Sequence, residues 1–131
     1  APDIRLHEID VARPLEIAGE RIVPVSGHHS ERFEVTGYRI GRMAYLTDFK
    51  TIADAEVGKL IGVELLVVNA LRFRPHPSHF NVEEALALIA RVAPRRALIT
   101  HVSHEIGRHA ATTALLPRGV ELAYDGLEII I

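Results

Sequence analysis

The chain contains no cysteine and no tryptophan, and only one methionine among 131 residues. Without thiols there can be no disulfides and no thiolate metal ligands, and the composition fits a cytoplasmic protein. No apolar run approaches the ~20 residues that a membrane helix requires, and no signal peptide is legible. An excess of one charge is also missing: 15 lysines and arginines face 17 acidic residues, for a net charge of -2 with histidines neutral. The cations are scattered. The basic cluster of a nucleic-acid face is therefore absent, and nucleic acid is not the expected partner. No GxSxG elbow occurs, although Ser30, Ser78 and Ser103 each stand near a histidine, so a serine hydrolase is not the reading either.

What is present is a globular composition, 48% hydrophobic, with eight histidines. The length suits one domain with a real core. The first residue is Ala1 rather than methionine, as expected of a processed chain or a piece of a longer one.

The pattern along the chain predicts mixed α/β structure with helices against a sheet. Short runs at 4–9, 14–17, 21–25, 32–40 and 42–48 read as strands punctuated by glycine, with a tight hairpin at Gly41-Arg42. A short helix is expected over 54–62. VELLVVNAL (63–71) is apolar on both faces, as in a strand covered on both sides. The strongest helix is 81–93. Asn81 and Glu84 can form a capping box, and Val82, Ala85, Leu86, Ile89 and Val92 fall on one stripe. RALITH (96–101) reads as another buried strand and 104–116 as a weaker helix. Strands at 119–124 and 127–131 flank an Asp125-Gly126 turn. No internal repeat or linker divides the chain.

Ionisable side chains collect just beyond strand ends. His28 and His29 lie in a Gly/Ser loop after RIVPV, Asp48 ends RMAYLTD, and His76 and His79 lie in RPHPSH (74–79). His101 ends RALIT, with His104 three residues on. Ligand sites of α/β sheets gather outside the carboxyl ends of strands. Imidazoles and a carboxylate there suit Zn, Mn or Fe; general acid–base chemistry without metal is the alternative. Taken singly, each has a bland reading: a capping aspartate, solvated loop histidines, solvated arginines at 72 and 74. His7 and His109 have no companions and read as structural or exposed.

Four segments in order, GYRIGRMAYLTD, VVNALRFRPHPSHFNVEEALALI, PRRALITHVSHEIG and ELAYDGLEI, resemble the metallo-β-lactamase superfamily. Within it they are most similar to the phosphoribosyl cyclic phosphodiesterases of the carbon–phosphorus lyase pathway. The resemblance implies the second half of an αββα sandwich, a mixed β-sheet with helices on one face, spanning residues 1–131. The HxHxDH motif of the family's first half does not occur here. The expected partner is thus an HxHxDH-bearing N-terminal half, or a second copy in a homo-oligomer. The resemblance further implies two divalent ions, Zn or Mn, in the complete domain. It implies His29 (rather than His28), Asp48 and His101 as ligands, with Asp48 shared between the ions. His79 would face the substrate phosphate and donate a proton, Arg74 would attract a sugar phosphate, and His104 and His76 would support the site from behind. The activity implied is hydrolysis of a cyclic or small phosphodiester, completed only with the N-terminal half. Pro75 and Pro77 would stiffen the loop that aims His79. Two further readings use the same residues. One is a binding or assembly module that has lost catalysis; the other is a hydrolase of thioesters, lactones or RNA ends on the same scaffold.

Overall fold

A computed structural model describes residues 2–131. Seven strands form one sheet in chain order: β1 (Leu15–Ile17), β2 (Glu20–Ser30), β3 (Phe33–Ile40), β4 (Met43–Leu46), β5 (Leu65–Asn69), β6 (Arg96–Thr100) and β7 (Val120–Leu122). Neighbours are antiparallel from β1 to β4 and parallel from β4 to β7. The sheet is therefore mixed, as expected. The change of sense has a covalent cause. A two-residue turn at Gly41-Arg42 can only return the chain antiparallel, whereas parallel pairs need crossovers. Three short helices, α1 (Asp54–Gly58), α2 (Val82–Val92) and α3 (His109–Thr113), lie in those crossovers.

The helices share one face of the sheet. Val57, Val82, Ala85, Leu88, Ile89 and Val92 cluster with Ala44, Leu46, Leu66, Val68, Ala97, Ile99, Val120 and Leu122. The alternate residues Leu65, Val67 and Leu98 form a second, smaller cluster on the other face, covered by Met43, Ala123, Leu127 and Ile129. This period of two is the pleat of the strands, and all of β5 is buried because both faces are covered at that point. In α2 both halves of the capping box form, Glu84 N–H to Asn81 Oδ1 and Asn81 N–H to Glu84 Oε2, each at 2.8 Å. Leu88, not Leu86, completes its buried stripe; Leu86 is partly buried against the same core.

Several boundaries differ from the sequence reading. Residues 4–9 form no strand; they are exposed and meet no neighbouring ladder. Residues 127–131 also lack a ladder, lying over the second cluster instead. The helix expected over 104–116 breaks into a 3-10 turn (His104–Ile106) and α3, because Gly107 takes φ +95°, outside any helix. The largest change is β2, which continues past RIVPV to Ser30 with a bulge between His28 and Ser30. His28 and His29 thus sit on a strand end, not in a free loop.

That extension depends on Gly27. A Cβ there would lie 2.2 Å from Phe49 Cε1 and 2.8 Å from the Thr51 carbonyl oxygen, and the Phe49 ring is fully buried. Gly27→Ala is expected to cost about 1–3 kcal/mol, as overpacking does, seen as a lower urea midpoint at unchanged m-value. Gly58→Ala, with open space around its Cβ, should be neutral or gain about 0.5–1 kcal/mol, since glycine is costly in a helix.

Candidate metal centre

Strand direction decides where the polar side chains go. β2 and β4 are both antiparallel to β3, so they run the same way, and β5 and β6 run parallel to β4. The carboxyl ends of all four strands therefore lie on one rim. His29 is the next-to-last residue of β2, Asp48 follows β4, the His76–His79 loop follows β5, and His101 follows β6.

On that rim the four expected residues meet. His79 Nε2 lies 3.1 Å from Asp48 Oδ1, and His101 Nε2 lies 3.3 Å from the same oxygen. The two ring nitrogens are 3.1 Å apart. His29 packs edge-on to His79 with ring centroids 4.6 Å apart, and His101 stacks on His79 at 4.8 Å. Donor atoms of His29, Asp48 and His79 all fall within 4.8 Å of one another. That grouping takes in His79, expected as the proton donor, and leaves out His101, which reaches the same Asp48 oxygen as His79.

His29 Nδ1 lies 3.0 Å from the Asp48 carbonyl oxygen. That oxygen can only accept, so Nδ1 carries the proton and Nε2 keeps its lone pair, the form in which histidine binds metal. On the far side of His79, Ser78 Oγ is 3.2 Å and His76 Nδ1 is 3.3 Å from Nδ1. Ser78 N–H also donates to His76 Nδ1 at 3.3 Å. His76 therefore braces the turn that carries His79.

The residues present fit a divalent cation. Among the expected ligands, His101 Nε2 and Asp48 Oδ1 lie 3.3 Å apart. Donors held 2.0–2.1 Å from a tetrahedral zinc are about 3.3 Å apart. Two facing ring nitrogens can share only one proton, so electron pairs outnumber protons at this point. Burial pulls the His79 imidazole below the ordinary histidine pKa, against the hydrogen bond it donates to Asp48, and the neighbouring His101 and His29 pull the same way as burial. The backbone is strained at two of the four residues: Asp48 has φ +65° and His101 φ +57°. Such conformations cost about 1–3 kcal/mol each and persist only where surroundings impose them.

The remaining expected residues stand apart from this cluster. His28 is exposed, and its backbone pairs with Thr51. His104 is exposed at the start of the 3-10 turn, and no hydrogen bond joins it to His101 among the described residues. His109 Nε2 donates to the Leu122 carbonyl at 2.8 Å, a structural contact. Arg74 lies 3.3 Å from Glu105 Oε2, and Arg72 Nη1 lies 3.0 Å from the same oxygen. Arg72 also donates to the Arg74 and Pro75 carbonyls at 3.4 and 3.0 Å. Desolvation raises the Glu105 pKa, but the hydrogen bonds from Arg72 and Arg74 outweigh it and hold the carboxyl below its usual value. Both arginines thus already have an anionic partner. Sequence reasoning missed Glu105 and Asn69. Glu105 carried no signal, but an asparagine closing the otherwise apolar β5 is a buried amide in need of partners.

A family model described as "Beta-lactamase superfamily domain" matches residues 1–102. An octanoyltransferase of Porphyromonas gingivalis is 37% identical over 131 residues, covering 99% of this chain and 26% of that protein. A crystal structure described as a new diphosphatase from the PhnP family is 35% identical with a TM-score of 0.92, covering 97% of this chain and 49% of that one. The metallo-beta-lactamase fold protein YhfI from Bacillus subtilis is 17% identical with a TM-score of 0.70, over 91% of this chain and 53% of its own, a likeness of fold alone. The chain thus spans about a quarter of the curated relative and about half of these solved structures.

The depressed His79 pKa has a consequence for stability without metal. The unfolded chain takes up its proton near the ordinary pKa of about 6.5, while the folded chain resists it to lower pH. Below about pH 6.5 the unfolded state therefore binds more protons, and stability falls as pH falls. Urea titrations of the metal-free chain from pH 7.5 to 5 should show this loss, and His79→Gln should flatten it.

Proposed function

The chain belongs to the beta-lactamase superfamily, and on that footing we propose that it is the C-terminal half of a metal-dependent hydrolase of small phosphodiesters, with a phosphoribosyl cyclic phosphate as the favoured substrate class. One observation carries this reading: Asp48, His79 and His101 bring donor atoms to within 3.1–3.3 Å at one rim. The branch is supported by the 35% identity to a diphosphatase over nearly the whole chain. The name of the octanoyltransferase belongs to a protein of which this stretch is 26%, and acyl transfer is a different reaction.

His29, Asp48 and His101 would hold the metal, with Asp48 offering its two oxygens to two ions. Divalent cations such as Zn or Mn supply Lewis acidity toward water and toward a phosphoryl oxygen. His79 reaches the same point from a loop stiffened by Pro75 and Pro77. Asp48 Oδ1 can only accept, so the His79 Nε2 that faces it carries a proton, and Ser78 Oγ beside Nδ1 can donate or accept there. From there Nε2–H can donate to a phosphoryl oxygen of the substrate. In the reaction a water oxygen bonds to phosphorus and loses a proton, one P–O ester bond breaks, and the departing oxygen takes a proton from the imidazolium form of His79, which the proton lost by the water restores. Arg74 would reach a substrate phosphate only by leaving Glu105.

Three ligands are too few for two ions, so the remaining donors would come from an HxHxDH-bearing N-terminal half or a second copy of this chain. The sheet face away from the helices suits such a partner. Tyr38, Ile40 and Tyr45 lie on it at least one-third exposed.

The test assays the chain, alone and with an HxHxDH-bearing half, for Zn- or Mn-dependent hydrolysis of a cyclic ribose phosphate, a lactone and an octanoyl thioester. The phosphodiester should be cleaved only by the pair. His79→Ala should lower that rate by about 10²–10⁴-fold, the usual weight of a general acid, and Asp48→Asn by more. Preference for the thioester or lactone would move the chain to another hydrolase branch. Metal-free, inactive pairs would leave a binding module.

A further inference from the structure

We propose that Asn69 is the positioning residue for Asp48: its buried side-chain amide grips the backbone just after Asp48 and fixes where that carboxylate points. The inference rests on reading Asp48 as the metal ligand shared by the site.

Asn69 is fully buried at the end of a strand whose other four residues are Leu65, Leu66, Val67 and Val68. A polar side chain there must spend its hydrogen-bonding atoms within the protein. It spends both on a single residue. Phe49 N–H donates to Asn69 Oδ1 at 2.9 Å, and Asn69 Nδ2 donates to the Phe49 carbonyl at 2.9 Å. Holding one residue at both its N–H and its C=O fixes the peptides on either side of it. The first of these joins Asp48 to Phe49, so the grip sets the rotation of the backbone at Asp48. Asp48 is the residue with φ +65°, a conformation that needs an outside constraint.

The same grip reaches two further members of the cluster. The carbonyl of Asp48, part of the peptide held by Asn69, is the acceptor for His29 Nδ1. The Phe49 carbonyl also accepts from Phe80 N–H at 2.8 Å, and Phe80 directly follows His79. A buried asparagine serving only the core would have no reason to grip the one stretch, Asp48-Phe49, whose carbonyls also hold His29 and the residue after His79. Asn69 is fully buried, so it acts through Asp48 and not at the rim itself.

The test uses the 131-residue chain with Zn2+ as probe. Asn69→Asp keeps the shape but removes the donor to the Phe49 carbonyl, and Asn69→Ser keeps one small polar group should the aspartate variant not fold. Val68→Ala, on the neighbouring position of the same strand, supplies a control that loses stability through packing alone. Two readouts separate position from stability: the Zn2+ dissociation constant by calorimetry, and the ring nitrogen NMR shifts of His79 and His29 in metal-free protein. Asn69 variants should weaken Zn2+ binding by about 10–100-fold, the usual cost of losing a group that orients a ligand, and should move both histidine signals. Val68→Ala should do neither. Asn69 variants that match Val68→Ala in both readouts would overturn the proposal. If the wild-type chain binds no Zn2+, the metal reading of the site fails, and unmoved histidine signals in the Asn69 variants would then reject the positioning role as well.

Discussion

Four consecutive residues, 69–72, hold the rim of this protein together. Asn69 grips Phe49 through its side chain, and Ala70 N–H donates to the Thr100 carbonyl. Leu71 takes the Phe80 carbonyl with its N–H and gives its own carbonyl to Ser103 N–H. The Arg72 carbonyl accepts from Val82 N–H. The segment that leaves β5 is thus bonded to the Asp48, His79 and His101 loops in turn. A chain leaving a central parallel strand would otherwise bury backbone polar groups without partners. Here the loops are those partners, so satisfying the backbone and assembling the site are one event. It also explains how two left-handed non-glycine residues are tolerated on one rim.

The change from antiparallel to parallel pairing at β4 is what makes the rim possible. In a continuing meander, successive loops would alternate between the two ends of the sheet. With β4, β5 and β6 parallel, and β2 sharing their direction, every ligand-bearing segment exits on the same side. The helices then occupy one face and leave much of the other to a small cluster under the C-terminal segment. Core packing and the site therefore compete for no space: the side chains between sheet and helices are apolar, and the polar ones stand beyond the strand ends.

Charge near the site is balanced rather than accumulated. Lys50 lies 2.6 Å from Glu84, and Glu105 joins Arg72 to Arg74. Arg74 is itself exposed, and a pair of that kind adds little stability, about 0–1 kcal/mol. The geometry matters more: Arg72 ties the PHPSH loop to the segment after His101, and its bonds to the Arg74 and Pro75 carbonyls fold the loop.

By itself the sequence determined the mixed α/β class, the Gly41-Arg42 hairpin, the buried β5, the capped helix at Asn81 and the four side chains worth watching. The elements follow from local chemistry, namely alternation, glycine turns and a capping box, while the four side chains were singled out by the resemblance to the metallo-β-lactamase superfamily. Only the tertiary structure decided the length of β2, because its extension to Ser30 depends on Gly27 fitting against Phe49, a residue 22 positions away. It alone decided that residues 4–9 and 127–131 join no strand ladder among the described residues, since a strand needs a neighbour as well as a pattern. The partners of Arg72 and Asn69 were likewise beyond reach. A hydrogen bond across 20 to 33 residues has no local signature, so the residues that hold the site in shape became visible only once the chain had folded back on itself.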